Sequence, residues 1–263
     1  MSELDARDLL DLEAAVKLLE SPTIAAKLTD VIGAPIEKGY ALLPSGWQKV
    51  IHNATEAALK TALNLAISTM SEGENKIAQN GWHKLAVGLS GALGGFFGLP
   101  ALVLELPAST TIMLRSIMDI ARAQGELISH AETKMACMEV FALGGRAKND
   151  DASESGYFAT RAFLAKSVSE AAAYIAEKGL AGEGAPALVR LTMKIGQRFG
   201  LAISEKAAAQ AIPIIGAAGG SIINVLFIKH FQDMAKGHFI VRKLERKYGL
   251  EVVQENYLKL KQS

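Results

Sequence analysis

Cysteine is nearly missing from this chain: Cys137 is the lone example in 263 residues. That excludes an intramolecular disulfide and any cysteine-built zinc cage. Its setting, Met135-Ala136-Cys137-Met138, is apolar, so an inert buried thiol is expected. Aromatic residues are scarce, at 6% against 50% hydrophobic, so the apolar mass is mostly Ala, Leu, Ile and Val. Such small and aliphatic side chains suit close helix packing better than a β-sandwich. Alternating β-branched runs are absent, whereas apolar residues at helical spacing recur almost everywhere. Net charge is only +1, which gives no electrostatic footprint for nucleic acid. No nucleophile elbow, P-loop or GxGxxG fingerprint occurs. The acidic start, Met1-Ser2-Glu3-Leu4-Asp5, does not resemble a signal peptide, so a cytoplasmic location is expected, extending to the inner face of the membrane.

The periodicity predicts an all-α bundle of about ten helices. A first apolar face, Leu9, Leu12, Ala15, Val16 and Leu19, ends near Pro22, and a short helix from about Thr23 stops at Gly33. Pro35 opens the next element and Pro44 closes it. Ser45 is expected to cap a long helix to about Met70. The apolar centre is expected to break at Pro100 and Pro107 and to continue as a helix to about Gln124. Further helices are expected near 131–143, 152–178, 185–199, 201–211, 214–247 and 250–260. One domain over 1–263 is anticipated, with a soft boundary at the polar loop 144–151.

Two glycine clusters stand out. Gly91-Ala92-Leu93-Gly94-Gly95 and Gly216-Ala217-Ala218-Gly219-Gly220 lie 125 residues apart, inside the uncharged runs Leu85–Leu104 and Ala207–Ile228. Glycine inside a helix costs about 1 kcal/mol relative to alanine, so its repetition calls for a reason. At spacings of three and four, Gly91, Gly94, Gly95 and Gly98 make a smooth stripe where a second backbone or an acyl chain can lie close. Gly216, Gly219 and Gly220 do the same in the second run, and the two helices are expected to pack in the core. Both runs reach the length of a membrane span, yet Pro100 and Glu105 interrupt or bound the first, and Gln210, Pro213 and Asn224 interrupt the second. Core burial or reversible insertion into one leaflet is the expectation.

Several polar residues beside these runs are candidates for binding. Glu105, between Leu104 and Leu106, is costly to bury unless paired. Arg115, Asp119, Arg122 and Glu126 share one helix face as an ion ladder, read either as structural or as a polar mouth for a lipid head group. Tyr157 and Arg161, one turn apart, either lock neighbouring helices or capture an anion. Asn224, if buried, needs a partner across helices. The segment from Lys229 to Lys247 is a basic, partly amphipathic helix that could rest on anionic lipid or form an ordinary solvated face. No histidine pair has metal-ligand spacing; His230, Asp233 and His238 come closest, and no metal site or cofactor is nominated.

The motif Gly33-Ala34-Pro35-Ile36-Glu37, the Gly91–Gly98 cluster, Glu105-Leu106-Pro107, Ile120-Ala121 with Gly125-Glu126, and Tyr157 with Arg161 together resemble the EcsC family of mainly bacterial proteins. The resemblance runs along almost the whole chain. It implies a helical bacterial protein, and the family takes its name from a gene beside an ABC transporter. A protease label attached to some relatives finds no ligand set here. The function expected from the residues is non-catalytic binding of a lipid or membrane surface, with a hydrophobic ligand held against the glycine-rich helices. The alternatives are a hydrolase with a weak metal site, a structural partner of a transporter, and a membrane-inserting protein.

Overall fold

A computed structural model describes residues 4–68, 98–145, 156–178, 185–212 and 216–262. Among the described residues there are ten α-helices and no strand. In chain order they are α1 (Ala6–Leu19), α2 (Ile24–Ile32), α3 (Ile36–Leu42), α4 (Trp47–Ser68) and α5 (Gly98–Ala123). They continue as α6 (Ala131–Leu143), α7 (Gly156–Lys178), α8 (Pro186–Ala211), α9 (Gly216–Tyr248) and α10 (Leu250–Gln262). The all-α reading is correct.

Local chemistry explains the helix ends and two departures from expectation. Asp5 and Thr23 cap α1 and α2 by accepting from the amides of Asp8 and Ala26. The expected cap Ser45 instead lies in the turn before α4, which starts at Trp47 after Gly46 at φ +80°. Helix α5 runs unbroken through Pro107, because packing along its length outweighs the one backbone bond that proline cannot donate. Pro100 sits in its first turn, where no such bond is made. The predicted break at Gly200 is also missing, and α8 is one helix of 26 residues.

Helix α9 is the axis of the packing and touches α1, α2, α5, α6, α8 and α10. Its pairing with α5 is parallel. Gln232 Nε2 donates to Ser116 Oγ at 2.8 Å, and Arg242 Nε donates to Glu126 Oε1 at 3.0 Å, each link joining residues 116 apart. The same offset brings the start of α5 at Gly98 to within about one turn of the start of α9 at Gly216. The uncharged runs therefore lead into two helices that set out side by side from one end of the protein. Helix α6 is buried on almost every side, with Cys137 and Phe141 fully enclosed and Phe141 in ring contact with Phe199 and Phe231.

Glycines mark the close approaches, tightest at Gly145 just past α6, where a Cβ would stand 1.9 Å from the Arg198 carbonyl oxygen of α8. A Cβ on Gly39 of α3 would stand 2.0 Å from the Ala208 carbonyl oxygen of α8. At Gly237 of α9 it would stand 2.6 Å from Leu19 Cγ of α1. The Gly39 contact is with backbone and cannot be relieved by a rotamer change. Gly39→Ala is therefore expected to lower stability by about 1–3 kcal/mol through overpacking, measured as the free energy of urea unfolding.

Candidate functional site

Three buried polar clusters tie the helices together. In the first, Arg161 of α7 forms two bonds to Glu245 of α9, NH1 to Oε1 at 2.6 Å and NH2 to Oε2 at 3.0 Å. Arg161 NH1 also donates to the Tyr157 hydroxyl at 3.3 Å, and that hydroxyl lies 3.1 Å from His238 Nδ1. Burial pushes the Tyr157 phenol up and the His238 imidazole well below its usual value, so both are neutral. The Tyr157 hydroxyl and Nδ1 share one hydrogen bond, and the other ring nitrogen is Nε2. That nitrogen has no hydrogen-bond partner among the described residues and faces Glu139 Oε2 at 4.0 Å. Burial raises the Glu139 carboxyl to about 7, against the opposing pull of Arg161 and Arg242. Tyr257 of α10 stacks on Tyr157 at 5.6 Å and donates to Glu20 of α1 at 2.8 Å.

The second cluster centres on Glu126, just past α5. It accepts from Arg242 and Arg246 of α9 and from Thr133 Oγ1 of α6 at 3.1 Å. Burial alone would raise its pKa, but the two guanidinium groups win and hold the carboxyl below its usual value. The third is a single ion pair. Lys206 Nζ of α8 donates to Glu105 Oε1 of α5 at 2.9 Å, both side chains being almost fully enclosed. The same ammonium lies 5.0 Å from the centre of the Phe227 ring of α9. Burial pulls Lys206 below its usual pKa despite the carboxylate beside it.

The sequence-predicted residues separate into groups. Tyr157 and Arg161 do come together, and they act as a helix lock whose unforeseen members are Glu245, His238 and Glu139. Glu105 is buried and paired as its cost demands, but with Lys206 rather than with a residue of its own helix. The ladder keeps only Arg122 with Asp119 at 2.9 Å; Glu126 turns inward to α9, and Arg115 leaves its buried Nε without a partner among the described residues. Asn224 is half-buried, and its Oδ1 likewise has no partner among the described residues. Gly98 opens α5, and Gly216, Gly219 and Gly220 fall in the first turns of α9. Gly91, Gly94 and Gly95 lie outside the described residues.

The weak metal candidates do not converge. His230 Nε2 donates to the Gly144 carbonyl at 2.9 Å, Asp233 pairs with Lys229 at 3.0 Å, and His238 belongs to the tyrosine lock. Among the described residues no group of three His, Cys, Asp or Glu is placed to hold a metal ion. The basic stretch of α9 is also largely committed to ion pairs within the chain, several of them at the surface. Arg242 and Arg246 meet Glu126, Lys243 meets Asp11 at 3.3 Å, and Lys247 meets Asp5 and Asp8 at 2.9 and 2.5 Å. Among the described residues no helix is long and apolar enough to cross a membrane.

Residues 9–244 match the EcsC protein family. The chain belongs to the EcsC family. No curated protein and no solved structure matches it. The EcsC match spans the Glu105–Lys206 pair, Glu126 and the Tyr157–Arg161–His238 lock, and it stops one residue before Glu245. It begins within α1 and leaves α10 outside.

Two stability tests follow from these clusters in the EcsC fold. Lys206→Met strands a buried carboxylate, so a loss of about 3–5 kcal/mol is expected, and adding Glu105→Leu should restore most of it in urea unfolding. Glu139 binds more protons folded than unfolded between its usual 4.5 and about 7. Its contribution is thus present at low pH and lost as pH rises through 7. Glu139→Gln should gain about 2 kcal/mol relative to wild type between pH 5 and pH 8, read from paired unfolding curves in which the other titrations cancel.

Proposed function

We propose that this protein binds lipid or a membrane surface without catalysing a reaction, through the end at which α5 and α9 begin. One observation carries the reading. Leu104 of α5 is 82% exposed, and Val225 and Ile222 of α9 are 64% and 47% exposed. The 116-residue offset sets Leu104 close to the level of Ile222, so the three large apolar side chains belong to one end of a parallel helix pair. Single exposed aliphatics are ordinary, but a group at one end of two neighbouring helices marks a contact surface. Gly98 and Gly216 open these helices, and the uncharged runs of the sequence lead into them.

Polar groups at the same level support the reading. Asn224 Oδ1 and Gln210 Oε1 are enclosed acceptors with no partner among the described residues, which a head-group hydroxyl or amide would satisfy once contact opens them. The Glu105–Lys206 pair beneath them is internally neutralised, so it presents no net charge to a bilayer. Because the cations of α9 are largely engaged with carboxylates, binding is assigned to apolar burial more than to attraction by anionic lipid.

Vesicle co-sedimentation tests this directly. The protein should pellet with uncharged phosphatidylcholine vesicles and continue to do so at about 0.5 M salt, where the screening length falls to a few ångströms. The double variant Leu104→Asp and Val225→Asp should lose binding by at least about tenfold. Its thermal midpoint should stay close to wild type, because both positions are exposed. Equal pelleting of a folded double variant and wild type removes the reading.

A further inference from the structure

A groove between α4 and α8 has the makings of a second site. The helices are antiparallel there, with His52 and Thr55 opposite Gly196 and Gln197, and Leu63 and Asn64 opposite Leu188 and Val189. Two adjoining hollows, of about 320 and 170 Å³, share Glu56, Thr192 and Met193. Their size reaches the lower end of the range for small-molecule sites, about 300–1,000 Å³. At the 1.5 Å rise of a helix, the groove lies roughly 15 to 25 Å along α8 from Lys206, away from the apolar end.

Its floor carries an unspent hydrogen bond. Thr55 is 2% exposed, lines the smaller hollow, and its Oγ1 has no hydrogen-bond partner among the described residues. A threonine on a helix usually returns its hydroxyl proton to the carbonyl one turn back, as Thr61 does to Ala57 at 2.9 Å. A buried hydroxyl left unsatisfied is costly, and a ligand that meets it recovers that cost. One wall is apolar, formed by Leu63, Leu188, Val189 and Met193, with Met193 itself 58% exposed. The rim holds Glu56 and Lys60, which neutralise one another at 2.8 Å.

We propose that this groove binds a neutral amphiphile, a single alkyl or acyl chain ending in a hydroxyl-bearing head. The chain lies along Leu63, Leu188 and Met193, and a head-group hydroxyl meets Thr55 Oγ1. The closed Glu56–Lys60 pair offers neither a free cation to a carboxylate nor a free anion to an ammonium, so the site selects an uncharged head. The site goes beyond membrane contact at the start of α5 and α9, and it stands or falls separately from it.

The probe is 1-monodecanoylglycerol below its micelle concentration, titrated calorimetrically into the full chain, with decanoate and decyltrimethylammonium as charged comparators of equal chain length. Saturable binding of the glyceride is expected, with both charged amphiphiles at least about tenfold weaker. Thr55→Val removes only the hydroxyl and should weaken glyceride binding by about tenfold, the worth of one hydrogen bond. Its thermal midpoint should equal or exceed that of wild type, since the lost hydroxyl has no internal partner. Met193→Trp should fill the groove and abolish glyceride binding while leaving vesicle pelleting as in wild type. The proposal is overturned if the charged amphiphiles bind as well, if either variant binds the glyceride like wild type, or if Thr55→Val is destabilised.

Discussion

Helix α9 carries His238, Arg242, Glu245 and Arg246 into the protein, and their partners come from α5, α6 and α7. The architecture depends on that matching. Much of the rest of the interface is made of small aliphatic side chains, such as Ala58, Ala62 and Ala66 on α4 or Ala207, Ala208 and Ala209 on α8. Such smooth faces pack well in several registers, so apolar burial gives cohesion without fixing the relative height of the helices. A buried guanidinium tolerates no such slip. Moving α9 by one turn would set Val241 or Gly249 in the place of Glu245 and leave the largely buried Arg161 guanidinium unpaired, at a cost of several kcal/mol. The charges add little net stability and a great deal of specificity.

That register gives the protein two unlike ends. Toward the end of α9 the surface is laced with ion pairs that bind α1 and α10 to it, through Asp5, Asp8 and Asp11 with Lys243 and Lys247, and through Glu20 with Tyr257 and Lys261. Toward its start, Leu104, Ile222 and Val225 stand in solvent, with the Glu105–Lys206 pair buried and the Lys229–Asp233 pair at the surface one turn past Val225. Parallel pairing of α5 and α9 sets these three exposed aliphatics toward one end, while Leu127 and Leu250 stand exposed toward the other. An antiparallel pair would have set the start of one helix against the charged finish of the other.

The helices were legible in the sequence, because their apolar period of about 3.6 survives almost any tertiary context. The misreadings concern what a single helix cannot disclose. Spacing of three and four reports partners on the same helix, so Glu126 was grouped with Arg122, whereas its partners come from α9. Glu105 was correctly singled out as costly to bury, yet nothing local nominates Lys206, which is 101 residues away. His238 was weighed only as a weak metal candidate, and Glu139 escaped notice for a different reason. Helix α6 is buried on nearly every side, so an inward-facing carboxylate has no polar face from which to depart. Glycine density drew attention to the clusters, while tight approaches belong to Gly39, Gly144, Gly145 and Gly237, whose neighbours are unknowable before folding. Pro107 and Gly200 show the reverse case, local breakers overruled by packing along long helices.

The distribution of ionisable groups bears on what kind of function this scaffold can support. The groups most perturbed by burial, Glu139, Cys137, Tyr157 and His238, lie inside the helix lock or beside it, closed off by the rings of Phe158 and Tyr257 and by α6 itself. Their pKa values are shifted toward neutrality, the direction that removes charge from the interior and favours packing. At the described openings the opposite holds. The α4–α8 groove is lined by a closed ion pair, His52, Thr55 and an apolar wall, and the end of α5 and α9 exposes aliphatic side chains. Those groups can hold a molecule by burial and one or two hydrogen bonds. Much of the polar chemistry among the described residues holds the helices in register.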